Sequence, residues 1–508
     1  MSHQTGSHTS RQQRQFELES DHLERQLQQR SEHVILRPGV GGTLCATRPI
    51  NGAQAAFARK SRLSHQLRVC GSLSRSIRWR ARKVYQAMEL SPPRGTRDFF
   101  PDEMRLRSWL FSHFRETARL FAFEEYDAPV LESLQLFTRK AGEEIAEQIY
   151  HFEDKGGRAL ALRPEMTPSL ARMILQKGRS LPLPARWFSI PQCWRYERMT
   201  RGRKREHYQW NMDVFGLAGP SAEAELLAVV TTFLGRLGLG AADVGVKVSS
   251  RKVLQGVLES IGVPEDRFVA VCVLVDKLDK LPREVIEQEM AQLGLDQGAI
   301  ERIVETLSLR SLDGLAAILG DGHEAVVELR ELFKLAADYG YLDWLQFDAS
   351  VVRGLAYYTG VVFEAFDRGG TLRAICGGGR YDHLLSTFGG ADVPACGFGL
   401  GDVVILELLK DKGLLPDCSR RIDDLVFPFG AEQRGDAANL AQRLRQAGRG
   451  VELILEDRKV KWAFKRADRI GAQRVILLAP EEWQRGELRI KDMRSGEESN
   501  LSIEELLS

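Results

Sequence analysis

Metal-binding and disulfide-forming residues are scarce in this chain, and their spacing excludes several classes of protein. The seven cysteines lie at positions 45, 70, 193, 272, 376, 396 and 418 of 508 residues, with no CxxC pair among them. A long, cysteine-poor sequence is not a disulfide scaffold, and this one lacks the paired thiols of a structural zinc site. The ten histidines form no HExxH or similar pair. We therefore expect a reducing compartment and no metal held by protein side chains.

Long apolar runs and a net charge are also missing. No apolar stretch reaches the ~18 residues of a membrane-spanning helix, so we expect no membrane partner. Lysine plus arginine number 71 against 69 aspartate plus glutamate, a formal net charge of +2. Only local clusters of charge can therefore indicate a nucleic-acid partner. The length suggests roughly three domains of ~150 residues each.

Acidic residues are absent from part of the N-terminal region, residues 1–88. Between positions 33 and 88 there are eleven arginine or lysine residues and no aspartate or glutamate. Arginine-rich, serine-containing and acid-poor composition is typical of a transit peptide that is removed on import into a mitochondrion or a plastid. The alternatives are a disordered basic tail that contacts RNA and, for the location, the cytoplasm. Composition does not distinguish the two organelles.

The most informative stretch is residues 186–215, whose alternation predicts an antiparallel hairpin. The second strand has an apolar face and a polar face, with polar side chains at His207, Gln209, Asn211 and Asp213. Buried polar groups are costly to desolvate unless they are paired or meet a polar ligand. We interpret the polar face as a ligand-binding surface, and the alternative is an ordinary hairpin with one solvated face.

The turn of this predicted hairpin is strongly basic. Five cations fall within eight residues, with no acid between them, at Arg198, Arg201, Arg203, Lys204 and Arg205. A cluster of this kind suits phosphate groups.

The hairpin resembles the second signature motif of class II aminoacyl-tRNA synthetases, in the form carried by histidyl-tRNA synthetases. The matching strings are RYE at 195–197, EHYQ at 206–209 and DVFG at 213–216, separated by the basic turn. The spacing is the same over about twenty residues, which makes the match specific.

Four further stretches resemble elements of the same family. LRPEMTPSLAR at 162–172 is similar to its amino-acid-binding element, with Thr167 expected to cap a helix that starts at Pro168. RGLAYYTG at 353–360 and AICGGGRYDHLL at 374–385 resemble two elements specific to histidyl enzymes. GFGLG at 397–401 resembles the third class II motif.

The chain departs from the family pattern at three positions. Met166 stands where glycine is usual, and Ala356 stands where aspartate is common. Val404 occupies the position at which the third motif normally carries an ATP-contacting arginine. Arg380 or a residue outside the motif is the candidate replacement.

The remaining segments predict secondary structure. A helix over 103–119 followed by a strand over 121–131 resembles the first class II motif, which builds the family's dimer interface. Residues 251–345 show short amphipathic helices, with an alternating run only at 269–275. After a linker, strands at 425–429, 451–455 and 474–478 alternate with helices, as in a small α/β domain.

The resemblance implies an α+β chain with an antiparallel-sheet catalytic core of class II. We expect five regions: the extension 1–88, the first part of the core 89–250, a helical insertion 251–345, the second part of the core 346–417, and an anticodon-binding α/β domain 422–508.

The resemblance also implies roles for individual residues. The two arginines that stabilise the reacting phosphate are Arg195 and Arg353. The histidine-binding residues are Glu165, Met166, Thr167, Gln209, Asp213, Tyr357 and Tyr358, in a pocket completed by Gly377, Gly378, Gly379 and Arg380. ATP contacts are Arg195, Glu197, Arg203 and Arg353, and the tRNA acceptor end is met by Arg198, Arg201 and Arg203.

The expected function is therefore that of a homodimeric histidine–tRNA ligase. It would use ATP, with Mg²⁺ bound through the ATP phosphates, to join L-histidine to tRNA(His). The alternative is a non-catalytic paralogue that keeps the histidine pocket as a regulatory sensor.

Overall fold

The structure is a computed structural model that describes residues 90–139, 147–275, 282–351 and 358–507. The predicted transit peptide (1–88), Arg353, Ala356 and Tyr357 lie outside the described residues.

The first half of the described chain runs from a long helix into the strands of a sheet. Its elements are α1 (Pro101–Leu120), β1 (Glu124–Glu125), β2 (Leu131–Ser133), α2 (Leu134–Thr138), β3 (His151–Glu153), β4 (Ala159–Leu162), α3 (Thr167–Lys177), β5 (Ala185–Ser189), β6 (Gln192–Trp194), β7 (Glu206–Phe215), α4 (Ser221–Arg236) and β8 (Val244–Ser250). The strand expected at 121–131 is wrong in extent, since only β1 and the first residue of β2 are paired there.

A helical segment and the rest of the sheet follow. The helices are α5 (Arg251–Ser260), α6 (Glu265–Val275), α7 (Arg283–Gln292), α8 (Gln297–Leu307), α9 (Leu312–Leu319) and α10 (Glu324–Tyr339). The next elements are β9 (Leu345–Phe347), β10 (Val361–Asp367), β11 (Cys376–Arg380), α11 (Leu384–Thr387), β12 (Ala395–Gly401) and α12 (Asp402–Asp411). The alternating run at 269–275 belongs to α6, because a short apolar run does not distinguish a buried strand from a helix.

Within the described residues, nine strands form the main sheet, in the order β1-β5-β7-β12-β11-β10-β8-β9, with β6 paired to β7. The pairs β1–β5 and β8–β9 at the two edges are parallel, and the inner pairs are antiparallel. The hairpin of β5 and β6 with β7 is confirmed and lies near the middle of the sheet.

The apolar face of β7 packs on α1 and α4, as its alternation predicts. The Trp210 ring is fully buried between Phe114 of α1 and Phe233 of α4, with ring centroids 4.8 and 5.1 Å away. The inserted helices divide between two cores. Helices α5–α8 bury a cluster of their own, whereas α9 and α10 pack on the core of the main sheet. The opposite, polar face of β7 remains available for a site.

The C-terminal segment forms a second sheet with its own cores. Its elements are β13 (Ile422–Pro428), α13 (Arg434–Gln446), β14 (Val451–Leu453), α14 (Val460–Ile470), β15 (Ala472–Leu478), α15 (Pro480–Gln484), β16 (Glu487–Asp492), β17 (Glu498–Ser502) and α16 (Ile503–Leu507). The strand order is β14-β13-β15-β16-β17, with three parallel strands followed by two antiparallel ones. Across the described ranges, no helix is both long and apolar enough to cross a bilayer.

Candidate active site

Two adjoining cavities open on the polar face of the main sheet. The larger has a volume of about 340 Å³ and the smaller about 130 Å³. Side chains from β7 and the segment after β4 line both, and the shared residues are Glu165, Arg195, Gln209, Tyr358, Gly377 and Gly399. A ligand can therefore extend from the small cavity into the large one.

The small cavity exists because β12 has no side chains opposite the polar residues of β7. A Cβ built on Gly397 would lie 2.4 Å from Oδ1 of Asp213, and one built on Gly399 would lie 2.7 Å from Nε2 of Gln209. Any larger residue at either position would displace these polar groups. Phe398 and Leu400, which alternate with the glycines of GFGLG, point into the core. The glycines therefore leave the opposite face of the strand without side chains.

Asp213 is a buried carboxyl group in the small cavity whose pKa is strongly shifted. Its side chain is 2% exposed, and the hydroxyl of Tyr381 donates a hydrogen bond to Oδ1. Burial raises the pKa of Asp213 to about 7, although the Tyr381 hydrogen bond opposes the change. Oδ2 of Asp213 and Oδ1 of Asn211 are buried without a protein partner within the described part of the chain. Buried acceptors of this kind point to a ligand that brings hydrogen-bond donors.

Glu165 and Arg195 lie at the junction of the two cavities. Burial raises the pKa of Glu165, and the positive charge of Arg195 opposes this. The Nε of Arg195 donates to the carbonyl of Pro164 at 2.9 Å, which anchors the guanidinium beside Glu165. Arg195 forms no ion pair with any carboxylate in the described segments, so its charge is available to a ligand.

The start of α3 differs from the sequence prediction. The helix begins at Thr167, and its N-cap is Met166, which makes no capping hydrogen bond with its side chain. Thr167 instead lines the small cavity. Met166 is fully buried, with its sulfur 3.7 Å from Nη1 of Arg163, and it lines neither cavity. The pocket residue expected at Met166 is therefore a packing residue beneath the site.

The larger cavity is electropositive. Four cationic and two acidic side chains line it, namely Arg195, Arg203, Lys204, Arg373, Glu165 and Glu197. Arg203 pairs with Glu197 at 2.9 Å, and the cationic side chains of the lining outnumber the acidic ones by two. Burial, followed by the charges of the surrounding arginines, lowers the pKa of His207 to about 3. This histidine therefore stays neutral, and the cavity suits an anion such as a polyphosphate.

The basic turn is more strongly paired than its sequence predicts. Arg201 donates to Glu407 and Asp411 of α12, at 3.0 and 2.6 Å, while the Arg205 guanidinium lies 3.8 Å from the centre of the Tyr196 ring. The acidic partners of Arg201 come from a distant part of the chain, which local composition cannot reveal. Arg198 is exposed on the turn.

The glycine run 377–379 lies on β11, beside the glycine face of β12. A Cβ on Gly378 would lie 2.3 Å from the Gly397 carbonyl, and one on Gly379 would lie 2.5 Å from the Val361 carbonyl. Of the three glycines in this run, Gly377 and Gly378 line the larger cavity and Gly379 does not. The run therefore serves close strand packing as well as the cavity wall.

Arg380 serves a structural purpose. Its Nε and Nη2 each donate to the Glu223 carboxylate at 2.6 Å, and its Nη1 and Nη2 donate to carbonyls in the 217–219 turn. Arg380 is 6% exposed and Glu223 is fully buried. The guanidinium is thus engaged by Glu223 and by the 217–219 turn. Arg380 is therefore not the replacement for the arginine missing at Val404.

The sequence predicted no individual role for several residues that line the cavities. They are Asn211, His207, Tyr381, Gly397, Gly399 and Arg373. Alternation along β7 places His207 and Asn211 on the polar face, and the GxGxG pattern was a usable signal for the glycines. Nothing local distinguishes Arg373 from other surface arginines.

The carboxylates of the site do not form a metal cage. No group of three or more histidine, cysteine, aspartate or glutamate side chains suited to a metal ion occurs in the described ranges.

Comparison with known proteins gives this arrangement a context. The histidyl-tRNA synthetase family matches residues 95–402, and the anticodon binding domain family matches residues 424–508. The chloroplastic/mitochondrial histidine–tRNA ligase of Arabidopsis thaliana is 55% identical over 83% of this chain and 87% of its own length. The histidine–tRNA ligase of Opitutus terrae is 40% identical over 81% and 96%.

A solved structure gives the same answer for the fold. The crystal structure of histidyl-tRNA synthetase from Nostoc sp. PCC 7120 superposes with a TM-score of 0.68 at 25% identity, over 82% of this chain and 99% of that one. The class II architecture expected from the sequence, with its C-terminal sheet domain, is thereby confirmed. The matches of residues 95–402 and 424–508 to the two families together show that this chain belongs to the histidyl-tRNA synthetase family.

Proposed function

We propose that this chain is a histidine–tRNA ligase that activates L-histidine with ATP and transfers it to the 3′ end of tRNA(His). The observation that carries the proposal is a small cavity with buried, unpartnered acceptors on Asp213 and Asn211, opening into an electropositive cavity around Arg195. The first suits the donors of an imidazole, and the second suits a polyphosphate.

Histidine would occupy the small cavity. An imidazole N–H donates to Asp213, while Glu165 receives the α-ammonium, with Thr167 beside it and Gln209 orienting the amino acid. Tyr357 and Tyr358 complete the pocket. A site built to hydrogen-bond an imidazole leaves its acceptors unpaired with a wrong amino acid, which disfavours that substrate by up to ~10⁴-fold to 10⁵-fold.

ATP would occupy the larger cavity. A carboxylate oxygen of histidine attacks the α-phosphorus, the bond to the β-phosphate oxygen breaks, and histidyl-adenylate and pyrophosphate result. Arg195 and Arg353 stabilise the negative charge that develops on the α-phosphate. Glu197 and Arg203 contact the nucleotide, and Mg²⁺ bound to the phosphate oxygens offsets their charge.

The tRNA partner follows from the whole chain. The C-terminal domain (422–508) reads the anticodon, and Arg198, Arg201 and Arg203 of the β6–β7 turn meet the acceptor end. We propose a homodimer that pairs through the α1 region. We also retain the domain boundaries given above, with 251–345 inserted between the two parts of the core.

The location belongs to the same proposal. We propose that residues 1–88 direct the protein to a mitochondrion or a plastid and are then removed. The supports are the acid-poor composition of 33–88 and the similarity to an organellar ligase.

ATP–pyrophosphate exchange tests this function. The chain from residue 89 onward should exchange labelled pyrophosphate into ATP with histidine and not with other amino acids. Arg195→Gln should lower the rate about 100-fold or more, because one preorganised donor to the transition state is lost. Arg158→Gln, in an exposed turn where Arg158 pairs with Asp154, is the control. Histidine binding without exchange would support the regulatory paralogue instead.

A further inference from the structure

Arg373 reaches the larger cavity from a connection that contributes to no motif considered so far. It lies between β10 and β11, three residues before Cys376. Its side chain lines the larger cavity and is absent from the lining of the smaller one. Arg373 therefore belongs to the larger-cavity end of the site.

At this end of the cavity three elements meet. A Cβ built on Gly202, at the tip of the β6–β7 turn, would lie 3.7 and 3.8 Å from Cγ and Cδ of Arg373. The same point is 3.3 Å from Cγ2 of Val404 on α12. The aliphatic part of Arg373 thus packs near the turn and beside Val404, the position at which the chain has no arginine of its own.

The charge of Arg373 acts inside the cavity. It is one of the cations that lower the pKa of His207, whose side chain lines the same cavity. The other lining cations have different placements, since Arg203 pairs with Glu197 and Arg195 lies beside Glu165. Lys204 and Arg373 are the other two cations that line the larger cavity.

We propose that Arg373 is a phosphate-binding residue that contacts the β- and γ-phosphates of ATP, and later the pyrophosphate product. The inference rests on the proposed function, which places the α-phosphate at Arg195 and the remaining phosphates beyond it. A guanidinium binds phosphate oxygens through paired, charge-assisted hydrogen bonds. In this arrangement Arg373, on the β10–β11 connection, supplies the positive charge that an arginine at position 404 of α12 would otherwise supply.

The test compares Arg373→Gln with Arg373→Lys and the wild type in histidine-dependent exchange. We expect Arg373→Gln to raise the KM for ATP about tenfold or more, the loss of one charge-assisted contact, with little change in the KM for histidine. Arg373→Lys should fall between the two, since lysine keeps the charge and loses the paired geometry. A rise of less than about threefold for Arg373→Gln would overturn the proposal.

A matched control separates phosphate binding from support of the connection. Arg368, at the start of the same connection, donates to the carbonyls of Ala241 and Asp343 and lines neither cavity. Arg368→Gln should leave the KM for ATP unchanged. An equal rise in both variants would assign Arg373 to loop structure and refute phosphate binding.

A second ligand separates the β- and γ-phosphates from the rest of the nucleotide. A stable histidyl-adenylate analogue lacks pyrophosphate, so Arg373→Gln should bind it as tightly as the wild type. Weaker binding by the factor seen for ATP would contradict the assignment. If the wild type showed no exchange at all, the proposed function would fail. If the wild type were active and Arg373→Gln had an unchanged KM for ATP, only the role of Arg373 would fail.

Discussion

At the scale of single residues, Asp213 shows how the fold changes a side chain's chemistry. In an unfolded chain its carboxyl titrates near pH 3.9. In the structure, burial between β7 and β12 raises the pKa to about 7. The folded protein therefore holds a proton over pH 4 to 7 that the unfolded chain has released. Its contribution to stability is lost as the pH rises through about 7.

We predict that Asp213→Asn stabilises the ligand-free protein, and that it does so more at pH 8 than at pH 5. The free energy of unfolding of the variant minus that of the wild type should grow by about 2–4 kcal/mol from pH 5 to pH 8, because the variant carries no buried charge. Denaturant unfolding at both pH values measures the difference. A constant difference would mean that Asp213 is not the titrating group.

The same substitution should impair histidine recognition. An ionised Asp213 accepts the imidazole N–H, so the KM for histidine in the wild type should fall as the pH rises from 6 to 8. Asp213→Asn should raise this KM about tenfold or more and remove the part of the pH dependence that is due to the protein. Exchange assays across this range provide the measurement, with the variant controlling for titration of histidine itself. An unchanged profile would contradict the role of Asp213.

At the scale of elements, one buried ion cluster joins the N-terminal lead-in to two elements of the site. Arg97 donates to Glu206 at the start of β7, at 3.1 and 3.2 Å, and pairs with Asp402 at the start of α12, at 3.0 Å. Both carboxylates are 1% exposed. Asp402 also accepts the backbone N–H of Tyr208 at 3.0 Å. The cluster holds the hairpin against α12, on either side of the larger cavity.

We predict that Arg97→Leu destabilises the protein by about 3–5 kcal/mol, because it leaves two carboxylates buried without a counter-charge. The control is Arg119→Leu, which removes an exposed pair with Glu116 of α1 and should change stability far less, because water screens an exposed pair. Chemical denaturation measures both. Equal effects would indicate that water reaches the Arg97 cluster.

Element prediction from the sequence succeeded where the hydrophobic period was long. The 3.6-residue spacing at 103–119 identified α1, and the alternation of β7 identified both its core face and its polar face. Alternation alone gave no assignment for the short apolar run 269–275, where packing on α5, α7 and α8 stabilises a helix. The antiparallel strands β16 and β17 were also missed. β17 is mainly exposed and carries little hydrophobic signal, and β16 buries only Leu488 and Ile490.

At the scale of the whole molecule, the catalytic core and the C-terminal domain have separate interiors. The helices on the two faces of the C-terminal sheet bury two apolar clusters that share no residue with the clusters of the main sheet. A domain with its own core can be removed without exposing another core.

We predict that removing residues 422–508 leaves histidine-dependent exchange close to that of the full chain. Charging of tRNA(His) should fall about 10-fold to 100-fold, which corresponds to the loss of ~1.4–2.8 kcal/mol of RNA contacts. Exchange and aminoacylation assays on the same preparation compare the two activities. Undiminished charging would refute the anticodon-binding role, and lost exchange would show that the core depends on this domain.

The sequence by itself determined the family resemblance, the hairpin and its polar face, and the two-part plan of core and C-terminal domain. These features depend on local periodicity and on motifs of closely spaced residues. Only the tertiary structure decided which polar residues share a cavity. In the folded chain Arg380 pairs with Glu223, Met166 is buried beneath the site, and Arg373 and Val404 both lie near Gly202. Such contacts join residues far apart in the chain, and the burial that sets the charge of Asp213 arises only when the strands pack together.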